Sequence, residues 1–309
     1  VAPGADIVRV AAVQATPVVL DGPATVARAC ELIREAASMG ARLIALPEGF
    51  VPLMPRPCWG HRYTETMSRA AAEVHRRLWD NAVDLRGPLA ARLADAARDA
   101  RAWVAVGVNE RDDRRPGTLW NTLLWLSPDG RVAGRHRKLV PTMHERGVWG
   151  QGPGDDLEVI PTPVGRLGGL ICWETFMPGA RRALHRAGVD VLVTPTADDR
   201  DLWVSAMRTF AFEGGCFVVS PIQYLRRDHF PADFPLRDAL ADCPPTLLDG
   251  GSVIVDPWGE VLAGPVRGRE EILVADCDPA AILAARRVLD TAGHYDRPEI
   301  WAREAPADL

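Results

Sequence analysis

The stretch Arg166-Leu167-Gly168-Gly169-Leu170-Ile171-Cys172-Trp173-Glu174-Thr175-Phe176 decides the reading of the fold. An apolar run stops at a cysteine with paired glycines behind it, and a helical pattern follows from about Pro178 to Ala187. Gly188 then leads into a second apolar run, Val189 to Thr194. Strand, helix and strand in this order are the unit of an α/β fold.

The same alternation extends in both directions. Leu157 to Thr162 reads as a strand paired with Arg166 to Ile171, and helix Leu202 to Glu213 precedes strand Phe217 to Ser220. Toward the N-terminus come strand Ile7 to Gln14, helix Pro23 to Ser38, the short run Arg42 to Leu46, helix Arg86 to Arg101 and strand Trp103 to Val108. Ser127-Pro128-Asp129-Gly130 and Pro257-Trp258-Gly259-Glu260 are turn signals between apolar arms, so Leu119 to Leu126 with Arg131 to His136, and Ser252 to Asp256 with Val261 to Ala263, read as hairpins. Glu271 to Asp276 reads as a last core strand, and a helix and tail run from about residue 278. Gln223 to Pro245 is polar and rich in proline, and it reads as a surface loop. No compositional linker divides residues 1–309, so one α/β domain with mixed sheets is expected.

Composition excludes several classes. A chain of 309 residues buries enough surface to fold without metal or disulfide staples. Six scattered cysteines with no C-x-x-C pair fit reduced thiols, no segment approaches 18 uninterrupted apolar residues, and no signal sequence is evident, so a cytoplasmic protein is expected. The net charge of −5 is spread without long blocks, which gives no field for nucleic acid or anionic lipid. Neither nucleotide-binding glycine motif occurs, and no cofactor is expected.

The chemistry-bearing residues stand at strand ends. Glu48 follows Leu43-Ile44-Ala45-Leu46-Pro47, and Cys172 ends its own apolar run. Open α/β sheets place ligands beyond the carboxyl ends of their strands. Lys138, just past the second arm of a hairpin, is the sole lysine among 36 basic residues, which suits a position that needs a compact charge on a flexible stem. A thiol is mostly protonated at neutral pH and needs a base or cation beside it. No histidine shares a short motif with a cysteine, so a carboxylate base with a lysine is the economical solution. Glu145 follows in His144-Glu145-Arg146; His136, His144 and Glu145 match no metal-binding spacing. Trp59, Trp173, Phe176 and Trp203 are candidates for an apolar pocket wall, each with core packing as the competing reading.

At these residues the chain resembles the nitrilase superfamily of carbon-nitrogen hydrolases. Leu46-Pro47-Glu48 resembles its glutamate motif, His136-Arg137-Lys138-Leu139 its lysine motif, and Gly169-Leu170-Ile171-Cys172-Trp173-Glu174 its cysteine motif. Lys138-Leu139-Val140-Pro141-Thr142 through Trp149-Gly150, with Met177-Pro178 and Arg181, is most similar to the true nitrilases, and later segments such as Gly293-His294-Tyr295 agree. Thr209, Pro153 and Asn109 depart from the common pattern. The resemblance implies a four-layer α-β-β-α sandwich and a homodimer through helical faces, which extends in some members into a spiral oligomer. It implies Glu48, Lys138, Cys172 and Glu145 as the catalytic set, with Glu145 orienting Lys138 and substrate or acting as a second base. The backbone amide of Trp173 would be a further donor. The expected reaction is hydrolysis of a small-molecule nitrile to acid and ammonia. The alternatives are an aliphatic amide or carbamoyl-amide substrate for the same residues, and a non-enzymatic oligomer.

Overall fold

Strand β1 (Val8–Gln14) shows how the layers arise. A strand turns alternate side chains to opposite faces. Val10 and Ala12 accordingly enter a core with Leu167, Val191 and Val219, whereas Ala11 and Val13 enter a different core with the helical Val26, Ile33 and Leu93. In the computed structural model, which describes residues 6–55, 60, 62 and 68–301, both faces of both sheets are treated in this way.

The remaining strands are β2 (Leu43–Ala45), β3 (Trp103–Arg111), β4 (Leu119–Leu126), β5 (Val132–Arg137), β6 (Ile160–Thr162), β7 (Gly165–Gly169), β8 (Val191–Val193), β9 (Phe217–Ser220), β10 (Tyr224–Arg226), β11 (Thr246–Val255), β12 (Val261–Arg267) and β13 (Glu271–Cys277). The helices are α1 (Gly22–Ser38), α2 (Arg69–Asn81), α3 (Pro88–Ala100), α4 (Pro178–Arg186), α5 (Asp201–Gly214), α6 (Arg237–Ala241), α7 (Pro279–Val288) and α8 (Pro298–Trp301). One sheet has the order β13-β1-β2-β3-β4-β5; the other has β10-β11-β9-β8-β7-β6, with β12 also paired to β11. The pairs β1/β2, β2/β3, β7/β8 and β8/β9 are parallel, and the hairpins around them are antiparallel.

The expected α-β-β-α sandwich is what forms. Helices α1 and α3 cover the outer face of the first sheet. Helices α4 and α5 cover the second, where Leu184, Trp203, Met207 and Phe210 pack on Leu192, Val218, Val253 and Val255. The paired glycines of the opening stretch have a physical reason. A Cβ on Gly169 would stand 2.3 Å from Leu123 of the facing sheet, so the two sheets approach closely just behind Cys172.

One expectation fails. Gln223 to Pro245 is not a surface loop: it contains β10 and α6, and it buries Leu225, Phe230, Phe234, Leu236, Leu240 and Cys243 against Leu53, Val74 and Leu78. Its apolar residues are spaced irregularly among prolines, so neither strand nor helix periodicity was visible. Helix α2, capped by the Ser68 side chain at the Ala71 N–H, carries a weak sequence signal because its buried stripe is only Ala71, Val74 and Leu78. Trp59 and the tail beyond Trp301 lie outside the described residues.

Candidate active site

Three strand ends deliver three side chains to one edge of the sandwich. After β2 the chain turns at Pro47-Glu48-Gly49, and a Cβ on Gly107 of the neighbouring β3 would stand 2.2 Å from the Pro47 carbonyl oxygen. Glycine is therefore required for that turn to lie against the sheet. Asn109 donates to the Val51 and Leu53 carbonyls at 3.0 and 2.9 Å, and Gln223 Nε2 donates to the Glu48 carbonyl at 2.8 Å. Asn109, a departure from the family pattern, is thus the clamp on the loop that follows Glu48. The other two lie away from the charged centre: Thr209 bonds the Ser205 carbonyl on exposed helix, and Pro153 follows Gly152, whose N–H holds the Lys138 carbonyl.

Lys138 follows β5 and stays in register, its N–H donating to the Asn121 carbonyl at 2.8 Å. Glu145 sits on a short 3-10 turn, Met143–Gly147, where its carboxylate caps the Thr142 N–H at 2.8 Å. The Lys138 ammonium, with no exposed side-chain surface, donates to Glu48 Oε1 at 2.8 Å and to Glu145 Oε2 at 2.7 Å. Asn121 Nδ2 gives Glu48 Oε1 a second bond at 2.8 Å, while Glu48 Oε2 is buried without a hydrogen-bond partner among the described residues. Burial raises the Glu48 pKa; Lys138 pulls it down and the Glu145 charge pushes it up, with a net rise. Burial disfavours the Lys138 ammonium, yet Glu48, Cys172 and Glu145 together raise its pKa well above the ordinary value, so it stays charged.

Cys172 has a left-handed backbone, φ 55°. For a residue with a side chain this conformation is costly and persists only when neighbours fix it. They do so on several sides. The Cys172 N–H donates to the Pro195 carbonyl at 2.8 Å, and the Thr196 hydroxyl donates to Sγ at 3.1 Å. Thr196 Oγ1 in turn accepts the Asp198 N–H at 3.0 Å, and the Asp198 carboxylate takes the Trp173 indole N–H at 2.8 Å. Burial and Glu48 push the thiol pKa up, Lys138 pulls it back, Glu145 adds to the rise and Thr196 opposes it, so the resting sulfur is a neutral thiol.

A cavity of about 180 Å³ opens over the sulfur, lined by residues that include Met54, Glu145, Cys172, Trp173, Asp198 and Arg200. A cavity of 400 Å³ lies elsewhere, against Val8, Val164, Phe217 and Ile282, far from the charged centre. Trp173 is therefore placed at the site, 40 % exposed with its ring beneath the Arg200 guanidinium. Phe176 stands outside the lining of that cavity and packs edge-on against Trp203 and Phe210. Trp203 is core, its indole bonded to Ser220. His136 lies apart from Glu145, whereas His144 lines the same cavity as Glu145. His136 faces Asp156 and Glu174, and His144 faces the Pro55 carbonyl. Asn121, Thr196, Asp198 and Gln223 carry no local sequence motif: Asn121 reaches the site from β4, Thr196 and Asp198 from the segment after β8, and Gln223 from the segment between β9 and β10.

A profile of the carbon-nitrogen hydrolase family matches residues 9–287. The chain is 41 % identical over 300 residues to nitrilase 1 of Arabidopsis thaliana, covering 95 % of this chain and 85 % of that one. It is 42 % identical over 297 residues to an aliphatic nitrilase of Sinorhizobium fredii, covering 95 % and 94 %. Among solved structures, a carbon-nitrogen hydrolase from Helicobacter pylori G27 shares the fold with a TM-score of 0.75 at 20 % identity, over 97 % of this chain and 98 % of that one. With the sandwich and the buried Glu-Lys-Cys cluster already in place, these matches establish that the chain belongs to the carbon-nitrogen hydrolase family, close to its true nitrilases.

Proposed function

We propose that Cys172 is the cysteine through which this chain hydrolyses organic nitriles, with Glu48 as base, Lys138 as the electrostatic partner of the substrate nitrogen, and Glu145 orienting Lys138. The observation that carries the assignment is the Glu48 carboxylate: one oxygen is occupied by Lys138 and Asn121, the other is buried without a hydrogen-bond partner among the described residues, and its charge acts on the Cys172 thiol. A base with a raised proton affinity suits a thiol that is not already ionised.

Glu48 removes the Cys172 proton as sulfur adds to the nitrile carbon, and the nitrogen gains that proton to give a thioimidate. Water adds to the thioimidate carbon, the carbon-nitrogen bond breaks, and ammonia leaves a thioester. A second water, deprotonated by Glu48, cleaves the thioester to the carboxylic acid and restores the thiol. One difficult hydrolysis becomes two covalent half-reactions. The Lys138 ammonium has three N–H donors, two of them committed to carboxylates, and the third serves charge developing on nitrogen or oxygen. The Trp173 backbone amide is the proposed second donor.

Residues 1–309 are proposed to act as one such domain and to assemble as a homodimer through a helical face. Support for the face comes from Phe176, Met177 and Leu202, apolar yet exposed around α4 and α5. A cytoplasmic location is proposed from the scattered free thiols. The test is incubation with matched nitriles and amides, with ammonia and carboxylate measured by mass spectrometry and Cys172→Ala as control. Acid from nitriles and a dead control are expected; turnover of amides alone would overturn the nitrile assignment, and an active control would overturn Cys172.

A further inference from the structure

His136 is buried, and both its ring nitrogens face carboxylates: Nδ1 is 3.1 Å from Asp156 Oδ1 and Nε2 is 2.7 Å from Glu174 Oε1. Glu174 has no exposed side-chain surface and also accepts the backbone N–H groups of Ile171 and Leu139, the latter at 2.8 Å. Ile171 directly precedes Cys172, and Leu139 directly follows Lys138. One carboxylate therefore ties the turn that carries the sulfur to the strand end that carries the ammonium. Asp156, on the loop behind, completes the chain by accepting the Arg137 N–H at 3.1 Å.

We propose that His136 is a positioning residue: its imidazolium, held by Asp156, fixes Glu174 and through it the register of the Cys172 turn against Lys138. This rests on the catalytic assignment above. A neutral imidazole has one donor and one lone pair, so it satisfies one of these carboxylates and opposes the other; the doubly protonated ring donates to both. The charged groups that face the ring are Asp156 from the 151–159 loop and Glu174 from the cysteine turn, with Lys138 next along its own strand. Arg135, Arg137 and Glu110 form a separate cluster, which alternation along β5 places on the opposite face. Burial pulls the His136 pKa down, but Glu174 and Asp156 prevail and push it up to about 9. The folded value exceeds the unfolded one, so the clasp is complete through neutral pH and is lost as pH rises through about 9.

The experiment is a pH profile of kcat and KM on one nitrile for the wild type, His136→Gln and His136→Ala, with Cys172→Ala alongside. The wild type should lose kcat with a midpoint near 9, with KM little changed. His136→Gln keeps a donor toward Glu174 and has no proton to lose, so it should retain activity within about tenfold and show no alkaline limb there. His136→Ala should lose about a hundredfold in kcat at neutral pH. A wild-type profile flat to pH 10, or an alkaline limb unmoved in His136→Gln, overturns the proposal even if His136→Ala fails to fold. An active Cys172→Ala would instead overturn the catalytic reading, so the two failures are distinguishable.

Discussion

Replacing Lys138 by methionine keeps the stem and removes the one positive charge between Glu48 and Glu145. Both carboxylates then remain buried, at 1 % and 4 % residue exposure, with like charge facing like charge. Breaking a buried ion pair by removing one partner costs about 3–5 kcal/mol. For a chain of 309 residues, with an unfolding entropy of about 2.1 cal/mol/K per residue, that corresponds to a fall in Tm of ~5–8 °C at pH 7. The sign with pH follows from the Glu48 proton affinity, already raised by burial and raised further when Lys138 no longer opposes it. A carboxylate whose folded pKa exceeds its unfolded value destabilises most at high pH and least once it is protonated. Lys138→Met should therefore recover more stability than the wild type as pH falls toward 5, because its Glu48 proton affinity is raised further. Loss of the donor to developing charge should also lower kcat by about 10²–10³. Scanning fluorimetry from pH 5 to 8, with ammonia release at each pH, reads both effects. Adding Glu48→Gln and Glu145→Gln should restore the Tm without restoring turnover. A Lys138→Met protein with the wild-type Tm at pH 7 and no pH dependence would refute the buried-triad reasoning.

Thr196→Val removes the hydroxyl donor to Sγ and should lower kcat/KM about tenfold, while Thr196→Ser should stay within about threefold; equal rates for all three would deny the hydroxyl a role. Gly107→Ala places a methyl 2.2 Å from the Pro47 oxygen and 2.7 Å from the Glu48 Cα. A shift of about 1 Å in Glu48 should cost ~10² in kcat, checked against a circular dichroism spectrum that remains native. The acid limb of kcat/KM should have a midpoint above the usual glutamate value, because the base must be ionised to act and burial raises its proton affinity. Glu145→Gln removes the nearby negative charge and should move that midpoint down; an upward shift would contradict the proposed coupling.

The parts of the fold visible in the sequence are those with local causes. β7, α4 and β8 follow from an apolar run, a proline-initiated helix and a glycine stop, and the hairpins follow from turn chemistry. The segment 223–245 was misread because its burial comes from α2 and the loop after Glu48, which lie more than a hundred residues away. The same distinction holds within the site. Glu48 and Cys172 each follow an apolar run, Lys138 follows a hairpin arm, and all three carry a motif. Asn121 reaches Glu48 only because β4 lies beside β3, which lies beside β2, and Thr196 reaches Sγ only because β8 lies beside β7. His136 was visible as a residue, but its two carboxylate partners are 20 and 38 positions away.

With Cys172 as the proposed nucleophile, the charge arrangement calls for a base at the moment of attack rather than a stored thiolate. A stored thiolate requires a cation with spare attraction beside the sulfur. Here the ammonium bonds two carboxylates, the polar hydrogen reaching Sγ comes from a neutral hydroxyl, and the cluster of one cation and two anions is already negative. Ionising the thiol would add a second net negative charge in a buried space, which is why its proton is held tightly. If the proton passes to Glu48 as sulfur bonds to carbon, the net charge of the cluster is unchanged and the new negative charge appears on the substrate nitrogen. In the proposed reaction the remaining Lys138 N–H serves that nitrogen, which would match the ammonium to the transition state and not to the resting thiol.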